Sequence, residues 1–123
     1  MTTTIKRFDL SIAASADAVS KTFELDKTIT AVKGILLTSD KDDLLYYRGS
    51  QKIEVNKEEL FPDGFESKLL MCGINVKPND RFYDLKNLQP GNGNVKVNYK
   101  DTDDSRAAFE AYRVSVYLFC ETN

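Results

Sequence analysis

Histidine is absent from this chain of 123 residues, and so is tryptophan. Histidine is the usual general base near neutral pH and the commonest metal ligand. Its absence excludes Ser-His-Asp and Cys-His catalysis, zinc sites that contain histidine and haem held by histidine. An enzyme built on this chain would have to work with Asp, Glu, Lys or Tyr alone. The sequence therefore predicts a protein that is not an enzyme, with no catalytic residues and no cofactor.

Cysteine is scarce, with only Cys72 and Cys120 present. The two thiols can pair or stay free, and we favour two buried free thiols because there is no cysteine-rich framework. The start of the chain lacks the apolar run of a signal peptide. No stretch approaches the roughly 20 apolar residues that a membrane span needs. We therefore expect no transmembrane segment, and synthesis in a cytoplasm.

The chain has no large excess of positive or negative charge. Its formal net charge is −2, and no basic tail or stripe is present. Proteins that bind nucleic acid normally need a cationic surface to neutralise phosphates, so no nucleic-acid partner is expected. Hydrophobic residues at 41% and charged residues at 29% are typical of a globular protein. The length predicts a single domain over residues 1–123.

Alternation of apolar and polar residues is the main positive signal, and a period of two predicts β-strands. In Asn94–Lys100 the apolar Val95, Val97 and Tyr99 share one face. Arg113–Cys120 becomes apolar on both faces towards its end, which predicts a central strand or one whose outer face meets a partner. Further strands are predicted at Phe8–Ile12, Lys21–Leu25, Ile29–Thr38, Leu44–Arg48 and Lys52–Asn56.

Helical signal is weak. Asp103–Glu110 predicts about two helical turns that begin at an aspartate, and Ser15–Ser20 predicts one more. Ser67–Met71 fits either a strand or a helical turn. Gly34, inside the longest predicted strand, indicates a β-bulge.

Proline and glycine mark the turns between these segments. Phe61–Gly64 fits a type I turn, and Gln89–Asn92 fits a type II turn in which Gly91 takes a positive φ. Asn92-Gly93 is a hairpin signal, and Lys77–Asp80 marks another loop. Short strands at spacings of about 8–12 residues predict an all-β, antiparallel β-sandwich. We favour a single jelly roll of about eight strands with one or two short helical turns, and other sandwiches or a barrel stay open.

Two acidic segments, Ser39–Asp43 and Asp101–Ser105, have the composition of a calcium site. Neither fits the EF-hand spacing. Counted from Asp101, the sixth position is Arg106 instead of glycine, and the twelfth is Tyr112 instead of glutamate. We therefore predict solvated loops and no metal site, including at Asp40–Asp43 and Asp101–Asp104.

Paired carboxylates are the remaining route to catalysis, because a glycosidase needs two of them facing each other across a cleft. Glu54, Glu58, Glu59 and Glu66 lie close in sequence, but exposed surface acids are the simpler interpretation. Cys72 has no histidine to activate it as a nucleophile.

Aromatic residues adjoin arginine at two places, Tyr46-Tyr47-Arg48 and Arg81-Phe82-Tyr83. Neighbours in a strand face opposite sides, so one ring of each pair should point away from the core. Tyr and Arg are enriched at the energetic centres of protein interfaces. These six residues are therefore the candidate interface, with ordinary packing and a carbohydrate-binding groove as the alternatives.

Part of the sequence resembles a known group of proteins. Gln51–Glu66 leads from a short strand into the pattern Phe-Pro-x-Gly-Phe, and Pro78–Tyr83, Gly93–Asp101 and Tyr112–Leu118 follow. Together these segments resemble the small single jelly-roll vertex (penton-type) and capsid-associated proteins of tailless bacteriophages. The resemblance covers roughly residues 50–120. It implies a virion structural protein without catalytic residues, assembled as a cyclic ring among larger coat proteins.

The leading hypothesis is thus a non-enzymatic structural protein that forms a homo-oligomeric ring, in a virion made in a host cytoplasm. A ring of this kind uses head-to-tail contacts between two different faces of each subunit. The alternative is a β-sandwich module that binds carbohydrate or another small ligand, and that stays in the cytoplasm.

Overall fold

The structure of this chain is a computed structural model that describes residues 2–72, 76–77 and 80–122. At residues 62–64 it describes the backbone only. Within those ranges the chain forms eight strands, one short helix and one 3₁₀ turn. They are β1 (Thr2–Ile12), β2 (Ala18–Glu24), β3 (Ile29–Ser39), α1 (Asp42–Arg48), β4 (Gly49–Val55), β5 (Glu58–Glu66), the 3₁₀ turn (Ser67–Leu70), β6 (Tyr83–Leu88), β7 (Asn94–Asp101) and β8 (Tyr112–Thr122).

The strands form two four-stranded antiparallel sheets. The first sheet has the order β1-β8-β3-β6 and the second has the order β2-β7-β4-β5. The first strand pairs with the eighth, the second with the seventh, the third with the sixth and the fourth with the fifth. This is the pairing of one long antiparallel ribbon rolled up into two sheets, which is a jelly roll. The predicted all-β jelly-roll sandwich is confirmed.

The core lies between the sheets, and the two central strands supply much of it. On β7, Val95, Val97 and Tyr99 are buried while Lys96 and Lys100 are exposed. The alternation predicted for this strand is therefore confirmed, and its cause is that only one face of the second sheet meets the first. On β8 the buried set consists of Val114, Val116, Leu118 and Cys120.

A β-bulge at Gly34 shapes the outer side of the first sheet. The register of β3 with both of its neighbours shifts between Val32 and Gly34, so the predicted bulge is confirmed. A β-carbon at Gly34 would lie 2.0 Å from Cδ2 of Phe82. Glycine is needed here because the Phe82 ring lies directly on the sheet backbone.

The type I turn predicted at Phe61–Gly64 is wrong, because these residues lie inside β5. Gln51 pairs with Phe65 and Ile53 pairs with Phe61, so residues 62–64 stand opposite the single residue 52 of β4. The residues that favour a turn thus form an irregular part of an edge strand. Proline is tolerated at an edge because its missing N–H interrupts no ladder on the open side.

The strand predicted at Leu44–Arg48 is also wrong, because these residues belong to helix α1. Asp42 and Asp43 lie in the first turn and Arg48 in the last, and these charges complement the helix dipole. Leu44 and Leu45 are buried against the sandwich. Tertiary packing of one apolar side thus overrides the β-propensity of the tyrosines.

The two helical turns predicted at Asp103–Glu110 do not form. Oδ1 of Asp104 accepts a hydrogen bond from the backbone N–H of Arg106 at 2.9 Å, and Ala107 N–H donates to the Asp104 carbonyl at 3.1 Å. An aspartate that binds the backbone locally favours a turn over a helix. The helical turn predicted at Ser15–Ser20 is wrong as well, since β2 begins at Ala18. Ser67–Leu70 takes the helical one of its two predicted forms.

The turn that leads into β7 runs over Pro90–Gly93 and is closed by a 2.8 Å hydrogen bond from Gly93 N–H to the Pro90 carbonyl. Gly91 has the predicted positive φ, at 56°, but it is the second residue of this turn, so the type II turn predicted at Gln89–Asn92 is wrong. The turn is not the predicted hairpin, because it carries the chain from the first sheet to the second. The tight hairpin joins β4 to β5 instead, through Asn56 and Lys57, which both have positive φ. Pro78 and Asn79 of the loop predicted at Lys77–Asp80 lie outside the described residues.

Candidate functional site

Arg48 lies at the end of α1 and is 2% exposed. Its Nε and Nη2 donate to the two carboxylate oxygens of Asp101 at 3.0 and 2.9 Å. Nη2 also donates to Oγ of Ser15 at 2.8 Å, and Nη1 donates to Oδ1 of Asp103 at 3.3 Å and to the carbonyl of Ala107 at 2.9 Å. A guanidinium has five N–H donors, and all five are used within the subunit.

Asp101 ends β7 and is fully buried. Besides the two bonds from Arg48, its Oδ1 accepts from the Tyr112 hydroxyl at 2.6 Å and its Oδ2 accepts from Ala16 N–H at 2.8 Å. Each carboxylate oxygen therefore accepts two hydrogen bonds. The pair is saturated, so neither charge is left to bind a ligand or to act in proton transfer.

A chain of hydroxyl groups extends this buried cluster across the sandwich. The Tyr99 and Tyr112 hydroxyl oxygens lie 2.9 Å apart, and Oγ of Ser67 donates to Oε1 of Gln51 at 2.5 Å. Nε2 of Gln51 is buried without a hydrogen-bond partner among the described residues. A β-carbon at Gly49 would lie 2.4 Å from the Tyr99 hydroxyl and 2.6 Å from Oγ of Ser67, so only glycine fits between them.

The cluster holds together four connections at one end of the sandwich: those between β1 and β2, β3 and β4, β5 and β6, and β7 and β8. Burial by itself would raise the pKa of Asp101, but hydrogen bonds from Arg48, Tyr112 and Ala16 N–H hold that pKa below its ordinary value. Burial raises the pKa of Tyr112, and the adjacent carboxylate of Asp101 raises it further. We therefore assign this cluster a structural role.

Stability should depend on pH through Asp101. A carboxyl whose pKa is lower in the folded state stabilises the fold above its unfolded-state pKa of about 3.9, and this stabilisation disappears as pH falls through the folded-state value. We expect the free energy of unfolding in urea to drop steeply below about pH 4. The double variant Arg48→Met/Asp101→Leu should show a shallower drop. Parallel curves for the two proteins would contradict this assignment.

The candidate interface residues divide into three groups. Tyr46, Tyr47 and Tyr83 are exposed, at 45%, 37% and 47%. Arg81 and Phe82 are half-buried. Arg48 is the exception among the six candidate interface residues, because its side chain is buried inside the subunit. Tyr46 and Tyr47 both face outward because they lie on a helix, where the alternation expected of a strand does not apply.

An apolar surface that the sequence did not reveal as a unit covers the outer side of the first sheet. Ile5 pairs with Phe119 across β1 and β8, and the Phe82 ring lies 4.8 Å from the Phe119 ring. Tyr117, two residues along on the same face, pairs with Leu36 of β3. Ile5 is 56% exposed, and the other four are half-buried. These five residues are called the outer apolar patch below.

The outer side of the second sheet is polar. The outward residues of its central strands are Asn94, Lys96, Asn98 and Lys100 on β7 and Ser50, Lys52 and Glu54 on β4. A cleft of about 440 Å³ opens on this side next to α1, with a lining that includes Tyr47, Ser50, Glu66, Asn98, Lys100 and Thr102. The first sheet therefore has an apolar patch on its outer surface, and the outer surface of the second sheet is polar.

The cysteines and the acidic side chains are the remaining candidate groups. Both cysteines are free, but Cys72 is exposed, which corrects the expectation of two buried thiols. Burial raises the pKa of Cys120 to about 11. Among the described residues, no group of three or more Cys, Asp or Glu side chains is placed to hold a metal ion. Over the same part of the chain, no helix is long and apolar enough to cross a membrane.

No protein-family model, curated protein or solved structure matches this chain.

Proposed function

We propose that this protein is a non-enzymatic structural subunit that assembles head to tail with copies of itself into a ring. The setting we propose is the vertex of a virion shell, where such a ring is seated among larger coat proteins. The observation that carries the proposal is the outer apolar patch, which lies on one sheet only. Jelly rolls are a common fold of viral capsid domains, and the resemblance of residues 50–120 to vertex proteins supports the same setting.

The outer face of the first sheet is large enough for a stable contact. Three strands of 11 residues and one of 6, at about 3.3 Å per residue and about 4.8 Å between strands, cover roughly 600 Å². This area lies at the lower end of the roughly 600–1,000 Å² that each partner buries in a standard interface. Four charged residues on this face form two ion pairs: Nε of Arg7 donates to Oδ1 of Asp9 at 3.0 Å, and Nζ of Lys33 lies 3.1 Å from Oε1 of Glu121. These four charges need no partner from another subunit.

A ring needs a second, different surface on each subunit. Tyr46 and Leu69, which are 45% and 56% exposed, supply it on the helical end of the sandwich. Tyr46 lies on α1 and Leu69 on the 3₁₀ turn, and these two elements are in contact, with the Lys68 ammonium 5.8 Å from the centre of the Tyr46 ring. We propose that the outer apolar patch of one subunit contacts this helical end of the next.

Two single substitutions test the ring. Ile5→Glu places a charge in the outer apolar patch, and Leu69→Glu places one on the helical end. Both positions are exposed, so the fold should tolerate either change. In light scattering after size exclusion, the wild-type protein should form a closed oligomer and each variant a monomer. Thr22→Glu, on the exposed outer face of edge strand β2, should leave the oligomer intact.

Mixing the two variants distinguishes head-to-tail contact from a symmetric pair. Each variant keeps one intact surface, so an equimolar mixture should form dimers that cannot grow. A symmetric contact through the patch alone would instead leave Leu69→Glu dimeric by itself, and this would overturn the ring. A wild-type protein that stays monomeric at every concentration, alone and with coat protein, would overturn the whole proposal.

A further inference from the structure

The cleft on the second sheet is built by cross-strand neighbours. Ser50 of β4 pairs with Glu66 of β5 on one side and with Lys100 of β7 on the other. The small Ser50 side chain therefore lies between two long ones and forms the floor of the cleft. Because neighbouring strands are about 4.8 Å apart, β5 and β7 on either side of it are about 10 Å apart. Asn98 continues the floor along β7, and Tyr47 of α1 stands at its end. The volume of about 440 Å³ is in the range of small-molecule sites.

The charges in the cleft leave one cation unpaired. The Glu66 carboxylate is compensated by Lys68, whose Nζ lies 3.1 Å from Oε2. The guanidinium of Arg48, behind the floor, is compensated by Asp101. Lys100 has no ion-pair or hydrogen-bond partner for its side chain among the residues that the structure describes. Lys100 is therefore an uncompensated cation on one side of Ser50, and Glu66, paired with Lys68, lies on the other side.

Neutral hydrogen-bonding groups line the rest of the cleft. The Asn98 side-chain oxygen accepts from the hydroxyl of Ser20, which leaves its amide nitrogen to donate into the cleft. Ser50, Thr102 and Tyr47 add hydroxyl groups, each of which can donate or accept a hydrogen bond. A ligand that matches this set is rich in hydroxyl or other oxygen groups and carries a negative charge near Lys100.

We infer that this cleft binds an acidic saccharide, with the sugar carboxylate at Lys100 and the ring hydroxyls over Ser50 and Asn98. Hydroxyl and amide groups around a polar floor, beside one uncompensated ammonium, fit the hydroxyls and the carboxylate of a hexuronate better than a neutral sugar or a simple anion. The cleft lies on the other sheet from the outer apolar patch, and it borders the helical end, where the Tyr47 ring lies 4.9 Å from the Tyr46 ring.

The experiment is a saturation-transfer NMR titration of the full chain with three probes: sodium glucuronate, glucose and sodium acetate. Glucuronate should bind at least about tenfold more tightly than glucose, and acetate should not displace it. Lys100→Met should weaken glucuronate binding by about tenfold or more. Lys96→Met, on the same strand and the same exposed face but outside the cleft, should change it by less than about twofold.

Salt gives a second readout, because about 0.5 M NaCl should weaken glucuronate binding to the wild-type protein but hardly affect Lys100→Met. Thermal unfolding of both variants should match the wild type, since both lysines are exposed. The inference is overturned if no probe binds, if acetate competes as well as glucuronate, or if Lys96→Met has the same effect as Lys100→Met.

Discussion

Arg48→Met is expected to lower the free energy of unfolding by about 3–5 kcal/mol, the usual cost of removing one partner from a buried ion pair. Methionine has a similar length and fits an apolar site, so the loss comes from electrostatics more than from volume. Asp101 would keep its negative charge inside the sandwich with only the Tyr112 hydroxyl and Ala16 N–H to stabilise it. Ser15, Asp103 and the Ala107 carbonyl would each lose a donor.

The matched control is Arg106→Met. Arg106 also pairs with an aspartate, Asp104, at 2.8 Å, but its side chain is 65% exposed. An exposed pair contributes about 0–1 kcal/mol, so urea unfolding of this variant should stay close to that of the wild type. A second variant, Arg48→Met/Asp101→Leu, removes the orphaned charge and should recover about 1–3 kcal/mol. Equal losses in Arg48→Met and Arg106→Met would contradict the structural role of the buried cluster.

Leu118→Ala is expected to cost about 2–5 kcal/mol, the range for truncating a fully buried leucine. Leu118 is 0% exposed on β8, which lies between β1 and β3 in the first sheet, and it pairs with Ile35. Truncation would leave a void between the two sheets, where strands on both sides limit collapse. Chemical denaturation should show a lower midpoint with an unchanged slope.

Lys96→Ala is the control for Leu118→Ala. It shortens a long side chain on β7, a central strand of the other sheet, but at an outward and exposed position. The change should stay within about 0.5 kcal/mol of the wild type. If Lys96→Ala were as costly as Leu118→Ala, the assignment of inner and outer faces would be wrong.

Strands were predictable where buried apolar and exposed polar residues alternate regularly along the sequence, whereas β5 and β6 were not predicted. Asn94–Lys100 has this pattern, and β7 occupies Asn94–Asp101. Prediction failed where the local sequence favours one secondary structure and packing against the rest of the fold favours another. Leu44–Arg48 is aromatic and apolar like a strand, yet it forms a helix because Leu44 and Leu45 pack on the sandwich end. Phe61–Gly64 has the composition of a turn, yet the chain continues as an edge strand.

The candidate site was less predictable than the fold. Ile5, Leu36 and Phe119 lie far apart in sequence and become neighbours only through the pairing of β1, β8 and β3. The signal that pointed to them was the two-sided apolar end of β8, which fits a central strand with a partner on its outer face. The cleft at Ser50 had no sequence signal, because it depends on which residues stand opposite one small side chain.

The sequence by itself determined which chemistry is absent and which faces of most strands are buried, because the lack of histidine and the two-residue alternation are local properties. It also contained the turn residues that permit a jelly roll. Only the tertiary structure decided the role of Arg48, which looked like an interface residue beside two tyrosines. Its partners come from positions 15, 101, 103 and 107, and long-range strand pairing alone brings them together. The same long-range pairing decides that one outer face is apolar and the other polar.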